Sequence, residues 1–367
     1  MNLAKLDNEV LENLALWLGI PVKRLKVLGE VIPDIEENHY HGFLDCQVVS
    51  WREGQVRRLT HKIVKFLREH NRYYILDSIK KIRQLRRKKL VEINHCRFTE
   101  LDMTLRRKLS LPPIDWRGNQ AVVCLSHDLD CVEDYEFSRE VYDLNRKYNI
   151  RSTFNFLTHW GYQPESAWLK ELDSNGFEIG LHGYTHDIAI GIRPAQRIIK
   201  ELSLALEKLN FSVKGYRAPA FAVTPRLLKS LKELGIKYDS SMKTVSCYGQ
   251  AVETFYPYRY PGIGIWEIPL TIQDDRVFRD LYLSDEEGLG VIKELTQRVV
   301  NIGGVMVINN HPRLIKERFY YYEELLKWIA GLDNVWICTM SDVIEFMEER
   351  EHQIIHSKED SCIKTTR

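Results

Sequence analysis

The chain has 367 residues, 44% hydrophobic and 28% charged, with a net charge of +1. That balance belongs to ordinary globular proteins and excludes a disordered, collagenous or membrane-embedded chain, while the near-zero total says nothing of partners until it is divided along the sequence. Seven cysteines (46, 96, 124, 131, 247, 338 and 362) form no C-x-x-C pair, and so odd and scattered a set favours a reducing compartment over a disulfide framework.

The opening stretch, MNLAKLDNEVLENLALWLGI, sets acidic residues among its leucines. It lacks the basic start, unbroken apolar run and small-residue cleavage site of a signal peptide. No stretch nears the 18 consecutive apolar residues of a membrane span, so a cytoplasmic protein is expected. From Trp51 to Lys108 there are 18 Lys or Arg against 6 Asp or Glu, a surplus of 12 that leaves the remainder at about −11. Ile79, Ile82, Leu85 and Leu90 predict helices with an apolar stripe beneath a basic face. Two readings stand: helices packed on a main domain with a solvated basic face, or a surface for an anionic membrane or another polyanion. Nucleic acid is not expected, because no recognition motif with interleaved aromatics accompanies the charge. Residues 1–115 are read as an accessory, mostly helical, basic region.

Pro112 and Pro113, within LSLPPIDWRGNQ (109–120), exclude helix and mark a change of texture. Beyond them AVVCLS (121–126), RSTFNFL (151–157), FEIGLH, VKGYRA, IKYDSS, GIWEIPL, VMVINN and VWICTM read as buried strands. Cys124 and Cys338 sit in these apolar runs and read as core thiols. The intervening helices are well punctuated. TPRLLKSLKELG places Thr224 as N-cap, Pro225 at the first helical position and Gly235 past the end. Ile198, Leu202, Leu206 and Leu209, joined by Ala205, share one helical face. Strands alternating with helices predict parallel β/α units, in a number that suits a closed or nearly closed barrel. The barrel is placed at 116–348, and EREHQIIHSKEDSCIKTTR (349–367) reads as a polar C-terminal tail.

In such barrels the reacting groups gather where strands end and loops begin. His127, Asp128 and Asp130 follow the first strand, and His182 and His186 the third. Arg217 follows VKGY, Asp274 and Asp275 follow GIWEIPL, and His311 follows VMVIN. Each has a plain alternative. A His-x-x-x-His pair among 12 histidines arises by chance roughly 0.4 times. An aspartate after a strand often only caps the next helix. A lone arginine is more often an ion-pair residue, and a histidine before proline is often a turn residue. Taken together, carboxylates, imidazoles and a guanidinium at one end of successive strands make the inventory of a metal-assisted hydrolase. Two imidazoles and one carboxylate leave a coordination position open, a second carboxylate can take a proton, and a separate histidine can give one.

In order and spacing these motifs resemble those of the polysaccharide deacetylases, the NodB-homology group of carbohydrate esterase family 4, over roughly Gln120 to Met347. SHDLD is similar to the first motif and implies Asp128 as base and Asp130 as metal ligand. HGYTH is similar to the second, making His182 and His186 the imidazole ligands, with Gly183 in place of the usual hydroxyl residue. RAPAF is similar to the third: Arg217 would hold Asp128 by charge-assisted hydrogen bonds, and the backbone N–H near Ala220 would face an oxyanion. INNHP stretches the fifth motif by one residue and leaves His311 as the acid. The fourth motif matches least, and its aspartate is either Asp274 or Asp275, with Asp274 preferred.

The resemblance implies an α/β fold, a distorted (β/α) barrel of about seven parallel strands. It also implies metal-dependent removal of an N-acyl group, N-acetyl above all, from an amino sugar. Zinc is the expected ion, with cobalt, nickel and manganese as alternatives. Three rivals remain open: an amidase of the same fold acting on a non-sugar C–N bond, an inactive carbohydrate-binding member, and a polyanion tether whose main function lies in the basic first region with the barrel as passenger. A cytoplasmic enzyme would meet a nucleotide-linked or lipid-linked sugar during surface-polysaccharide assembly, and residues 51–108 would suit peripheral contact with an anionic membrane surface.

Overall fold

The computed structural model describes residues 7–31, 96–244, 252–281 and 283–363. Residues 51–95 of the basic stretch, with Ile79, Ile82, Leu85 and Leu90, lie outside the described residues. Among the described residues no helix is long and apolar enough to cross a membrane.

The barrel is organised around β1 (Ala121–Leu129), a strand whose nine residues are all buried. A strand covered on both faces reads as a continuous apolar run, which is why AVVCL stands out in the sequence. The strand runs three residues beyond the predicted AVVCLS. His127 is therefore a strand residue on the outer face, where it is fully buried between Phe154 and Tyr322. Burial drives its pKa down to about 3, and its ring contacts the Asn310 carbonyl, the Asn145 amide and the Tyr322 hydroxyl. It is a core histidine.

Beside β1 lie β2 (Thr153–Leu157), β3 (Glu178–Gly183), β4 (Gly215–Tyr216) and β5 (Tyr238–Asp239) in parallel succession. Helices α4 (Val132–Lys147), α5 (Ser166–Ser174), α6 (Ala195–Leu209) and α7 (Pro225–Glu233) alternate with them. Thr224 caps α7 as predicted, its side chain accepting from the Leu227 N–H at 3.0 Å. In α6 the buried face is Ile198, Leu202, Ala205 and Leu209, with Leu206 only half-buried at its edge.

Two short elements escaped the sequence reading. The antiparallel β6 (Tyr258–Arg259) pairs with β7 (Trp266–Glu267), and β8 (Ile272–Gln273) pairs with β9 (Val305–Asn310). Elements this brief carry no periodicity of their own. The run 266–273 closes the ring: β7 lies parallel to β5, Leu270 bridges to Lys243, and β8 lies parallel to β9, which returns to β1. Seven parallel positions result, with β10 (Val335–Ile337) beside the start of β1, at Ala121–Val123, and β2 beside its end, at Ser126–Leu129. Helices α8 (Asp285–Ile302), α9 (Pro312–Glu317), α10 (Phe319–Ala330) and α11 (Met340–Ile363) complete the shell.

The helices α1 (Asn8–Leu18) and α3 (Arg97–Leu109) pack at the strand-start end of the barrel, while α2 (Val22–Val31) follows α1. Phe255, whose carbonyl accepts from the first residue of β9, Val305, also donates its N–H to Thr99 of α3. Trp17 of α1 donates to the Pro257 carbonyl at 2.7 Å, and Asn13 exchanges hydrogen bonds with the Arg259 backbone. The predicted polar tail begins inside α11, which continues through Ile363. Arg350 donates to the Leu16 and Trp17 carbonyls at 3.0 and 2.9 Å, and Glu351 takes both arms of Arg259. A stretch rich in charge is here a helix that clasps α1 through its polar side chains.

Candidate active site

At the other end of the barrel, the last residues of β1 and β3 and the loops leaving β1, β3, β4, β8 and β9 bring seven of the predicted residues together. Asp130, one residue past β1, offers Oδ1 to His182 Nε2 at 3.1 Å and to His186 Nε2 at 3.4 Å. These three donor atoms lie within 4.8 Å of one another. His182 is the next-to-last residue of β3, and its Nδ1 donates to the Arg217 carbonyl at 2.7 Å, which leaves the Nε2 lone pair facing Asp130. Two ring nitrogens and a carboxylate oxygen, with one imidazole already locked in its ligating tautomer, fit a divalent cation of the zinc type. Between the two histidines, Gly183 has φ +135°, a conformation that strains any L side chain, so the absence of a hydroxyl residue there is a requirement of the backbone.

Asp128 is 2% exposed and points into the barrel. The expected hydrogen bonds from Arg217 are not what holds it. Arg217 Nη1 stands 3.7 Å from Asp128 Oδ2, an ion pair at long range. Two amides do the holding: Asn155 Nδ2 donates to Oδ1 and Asn309 Nδ2 to Oδ2, each at 2.8 Å. Burial would push the Asp128 carboxyl up, but Arg217, His182 and His311 hold it below the usual carboxylate range. The sequence reading missed both asparagines. Their signal was present: Asn155 is a lone amide in TFNFL, and Asn309 sits in the motif that runs one residue long.

His311 follows β9, and its Nε2 lies 3.4 Å from Asp130 Oδ2. Its Nδ1 lies 2.7 Å from Asp274 Oδ1, so Asp274 and not Asp275 is its direct partner. Asp275 stands behind, 4.0 Å from Arg313. Arg313 is a further residue that sequence reasoning passed over. Its Nη2 lies 3.3 Å from Asp130 Oδ2, its backbone N–H donates to Asp134 at 2.8 Å, and its guanidinium also meets the buried Asp134. Arg217 is wholly buried, and the turn after it is strained: Ala220 and Phe221 are consecutive non-glycine residues with φ of 52° and 60°.

Residues 117–238, which carry Asp128, Asp130, His182, His186 and Arg217, match the polysaccharide deacetylase family. That segment of the chain is thus similar to the polysaccharide deacetylase domain. The family is one of hydrolases, and the domain's (β/α) barrel recurs in solved structures. A Mycobacterium smegmatis protein assigned as a polysaccharide deacetylase is 19% identical with a TM-score of 0.54, over 65% of this chain and 94% of its own. A Pseudomonas aeruginosa protein with the same assignment is 16% identical, TM-score 0.53, over 66% and 96%. An allantoinase is 16% identical, TM-score 0.54, over 64% and 93%. At such identities the shared property is the fold. No curated protein matches the chain. His311 and Asp274 lie past the matched segment, so their place rests on geometry alone.

Proposed function

We propose that the protein is a metal-dependent hydrolase that removes an N-acyl group, most simply acetyl, from an amino sugar. The observation that carries this reading is the convergence of Asp130, His182 and His186 with a separately held carboxylate, Asp128, and a carboxylate-paired imidazole, His311. Asp130, His182 and His186 would hold the ion, with zinc first and cobalt, nickel or manganese as alternatives. When bound, a divalent ion supplies Lewis-acid polarisation of an acyl carbonyl and acidifies water toward neutral pH.

In this reading the chain's own residues do the proton work. Asp128 is ionised and takes a proton from the attacking water. His311 is protonated at rest: burial would depress its pKa, but Asp274 and then Asp130 raise it well above the ordinary range. It gives its Nε2 proton to the departing amine, and Asp274 keeps the Nδ1 side fixed. Arg313 steadies the Asp130 oxygen that faces away from His182 and His186. The strained turn at Ala220 is the segment proposed to aim a backbone N–H at the developing oxyanion.

The substrate class follows from the family match to 117–238, and within it we favour a nucleotide-linked or lipid-linked amino sugar of a surface-polysaccharide precursor. The surplus of 12 positive charges over 51–108 supports work beside anionic headgroups, and co-sedimentation with anionic vesicles at low salt tests that part. Metal analysis of the purified protein, with an acetate-release screen on N-acetyl sugars with and without chelator, tests the whole. Release that stops with chelator is expected; metal bound with no hydrolysis of any N-acetyl sugar would overturn it. A second reading, hydrolysis of a non-sugar amide, is favoured by the allantoinase that shares the fold equally well. It keeps the same residues, and turnover of a cyclic ureide without acetate release would select it.

A further inference from the structure

The row of side chains inside the barrel at the level of Asp128 is built in register across four strands. Asp128 of β1 pairs with Asn155 of β2, and Asn155 pairs with Gly180 of β3. On the other flank Ser126 of β1 pairs with Asn309 of β9. In neighbouring parallel strands such partners point to the same face.

The polarity of each contact in this row is fixed by chemistry. Arg217 Nη2 lies 3.3 Å from the Ser126 hydroxyl and 3.0 Å from that of Ser240, and a guanidinium can only donate. Ser126 Oγ therefore accepts from Arg217 and has one proton to give. It lies 3.1 Å from Asn309 Oδ1 and 3.3 Å from the Ile308 carbonyl. An ionised carboxylate only accepts, so the Asn309 amide must turn its nitrogen to Asp128 and its oxygen to Ser126. The serine proton then satisfies that oxygen.

On the opposite side, Asn155 must likewise present Nδ2 to Asp128, and its Oδ1 swings toward β3. Gly180 leaves the room: a Cβ there would fall 2.1 Å from Asn155 Oδ1.

We propose that Asn309 and Asn155 are positioning residues that clamp the Asp128 carboxylate from both oxygens, Asn309 set by Arg217 through Ser126 and Asn155 given room by Gly180. Arg217 then acts on Asp128 at one remove, through a directional chain Arg217–Ser126–Asn309–Asp128, in addition to its charge. The assignment of Asp128 as base belongs to the function proposed above; the clamp itself is a statement about which groups set the plane and direction of this carboxylate. Two donors on opposite oxygens fix both the rotation and the tilt of the group, which one donor would leave free.

The test uses the full-length protein loaded with zinc. Crystal structures of Ser126→Ala, Asn309→Ala, Asn155→Ala and Gly180→Ala are compared with the parent, with zinc affinity measured by calorimetry for each. Ser126→Ala is expected to flip or tilt the Asn309 amide, and Gly180→Ala to move the Asn155 amide off Asp128. Each variant is expected to rotate the Asp128 carboxylate by roughly 30° or more, because this terminal torsion is broad and has no narrow well of its own to hold it, while zinc affinity stays within a few-fold. Ser126→Thr keeps a hydroxyl and is expected to restore the parent orientation. An Asp128 carboxylate that holds its orientation in Asn309→Ala and Asn155→Ala overturns the clamp. If any variant fails to fold, Ser126→Ala against the parent, which differ only by a hydroxyl, still decides the Arg217 branch. Full turnover in Asp128→Asn would remove the base and leave the clamp standing, so the two failures are distinguishable.

Discussion

His311 and Asp274 are joined twice: ring to carboxylate at 2.7 Å through Nδ1 and Oδ1, and backbone N–H to Oδ2 at 2.6 Å. The second bond fixes the residue as well as its ring. Asp274 in turn caps the helical turn that follows it, accepting from the Asp275 N–H at 2.7 Å. In the proposed reading, the pairing strengthens the hold of His311 on a proton that it must later release. Asp274→Asn is expected to lower the His311 pKa, so the alkaline limb of the turnover profile moves to lower pH and activity near pH 8 falls about 10²-fold. A parallel statement holds for stability. The folded pKa is raised above the ordinary 6.5, so the pair's contribution is fully present below that value and is lost as pH rises through the folded pKa. Unfolding midpoints against pH, parent minus Asp274→Asn, check the sign.

Asp128→Asn leaves the three converging donor atoms untouched. It is expected to bind zinc as the parent does, by calorimetry, and to lose about 10²- to 10⁴-fold in turnover.

Asp130 is the group that the two imidazoles share. Zinc at 100 times its dissociation constant is expected to stabilise the parent by about 2.7 kcal/mol, and chelator to reverse this. His186→Ala is expected to lose most of that rise in melting temperature, and Asp130→Ala all of it. A parent whose melting is indifferent to zinc would contradict the ligand set.

Arg350 belongs to the opposite end. Arg350→Met removes the donor to the Leu16 carbonyl and one donor to Trp17, which is expected to cost about 1–3 kcal/mol. Zinc affinity is expected to be unchanged, because the clasp on α1 and the proposed metal ligands occupy opposite ends of the strands.

The strands of the barrel were legible because parallel strands buried on both faces are unbroken apolar runs, and the proposed metal ligands were legible because they follow those runs directly. What escaped notice follows the same logic in reverse. β6 and β8 are two residues long and have no pattern to show. Asn155 and Asn309 lie within strands, where an amide reads as an interruption of the core. Arg313 lies two residues past His311, inside α9, where a cation looks like an ordinary surface residue. Asp274 could not be told from Asp275 by position, since only the turn of the backbone decides which carboxylate meets the ring. The hydrogen bonds expected from Arg217 to Asp128 failed for a spatial reason: the guanidinium stops 3.7 Å short, and Ser126 lies between it and Asn309.

The run 266–273 that joins β5 to β9 also delivers Asp274 at its last step. A chain ending after β5 would still contain Asp128, Asp130, His182 and His186, yet it would lack both the final staves and the imidazole–carboxylate couple. Long-range pairings of this kind are slow to form, because loop-closure entropy must be overcome before they stabilise the chain. In the proposed reading, proton delivery is thus physically tied to completion of the cylinder, and a nascent or half-assembled chain would hold the candidate cation ligands without the group that expels an amine.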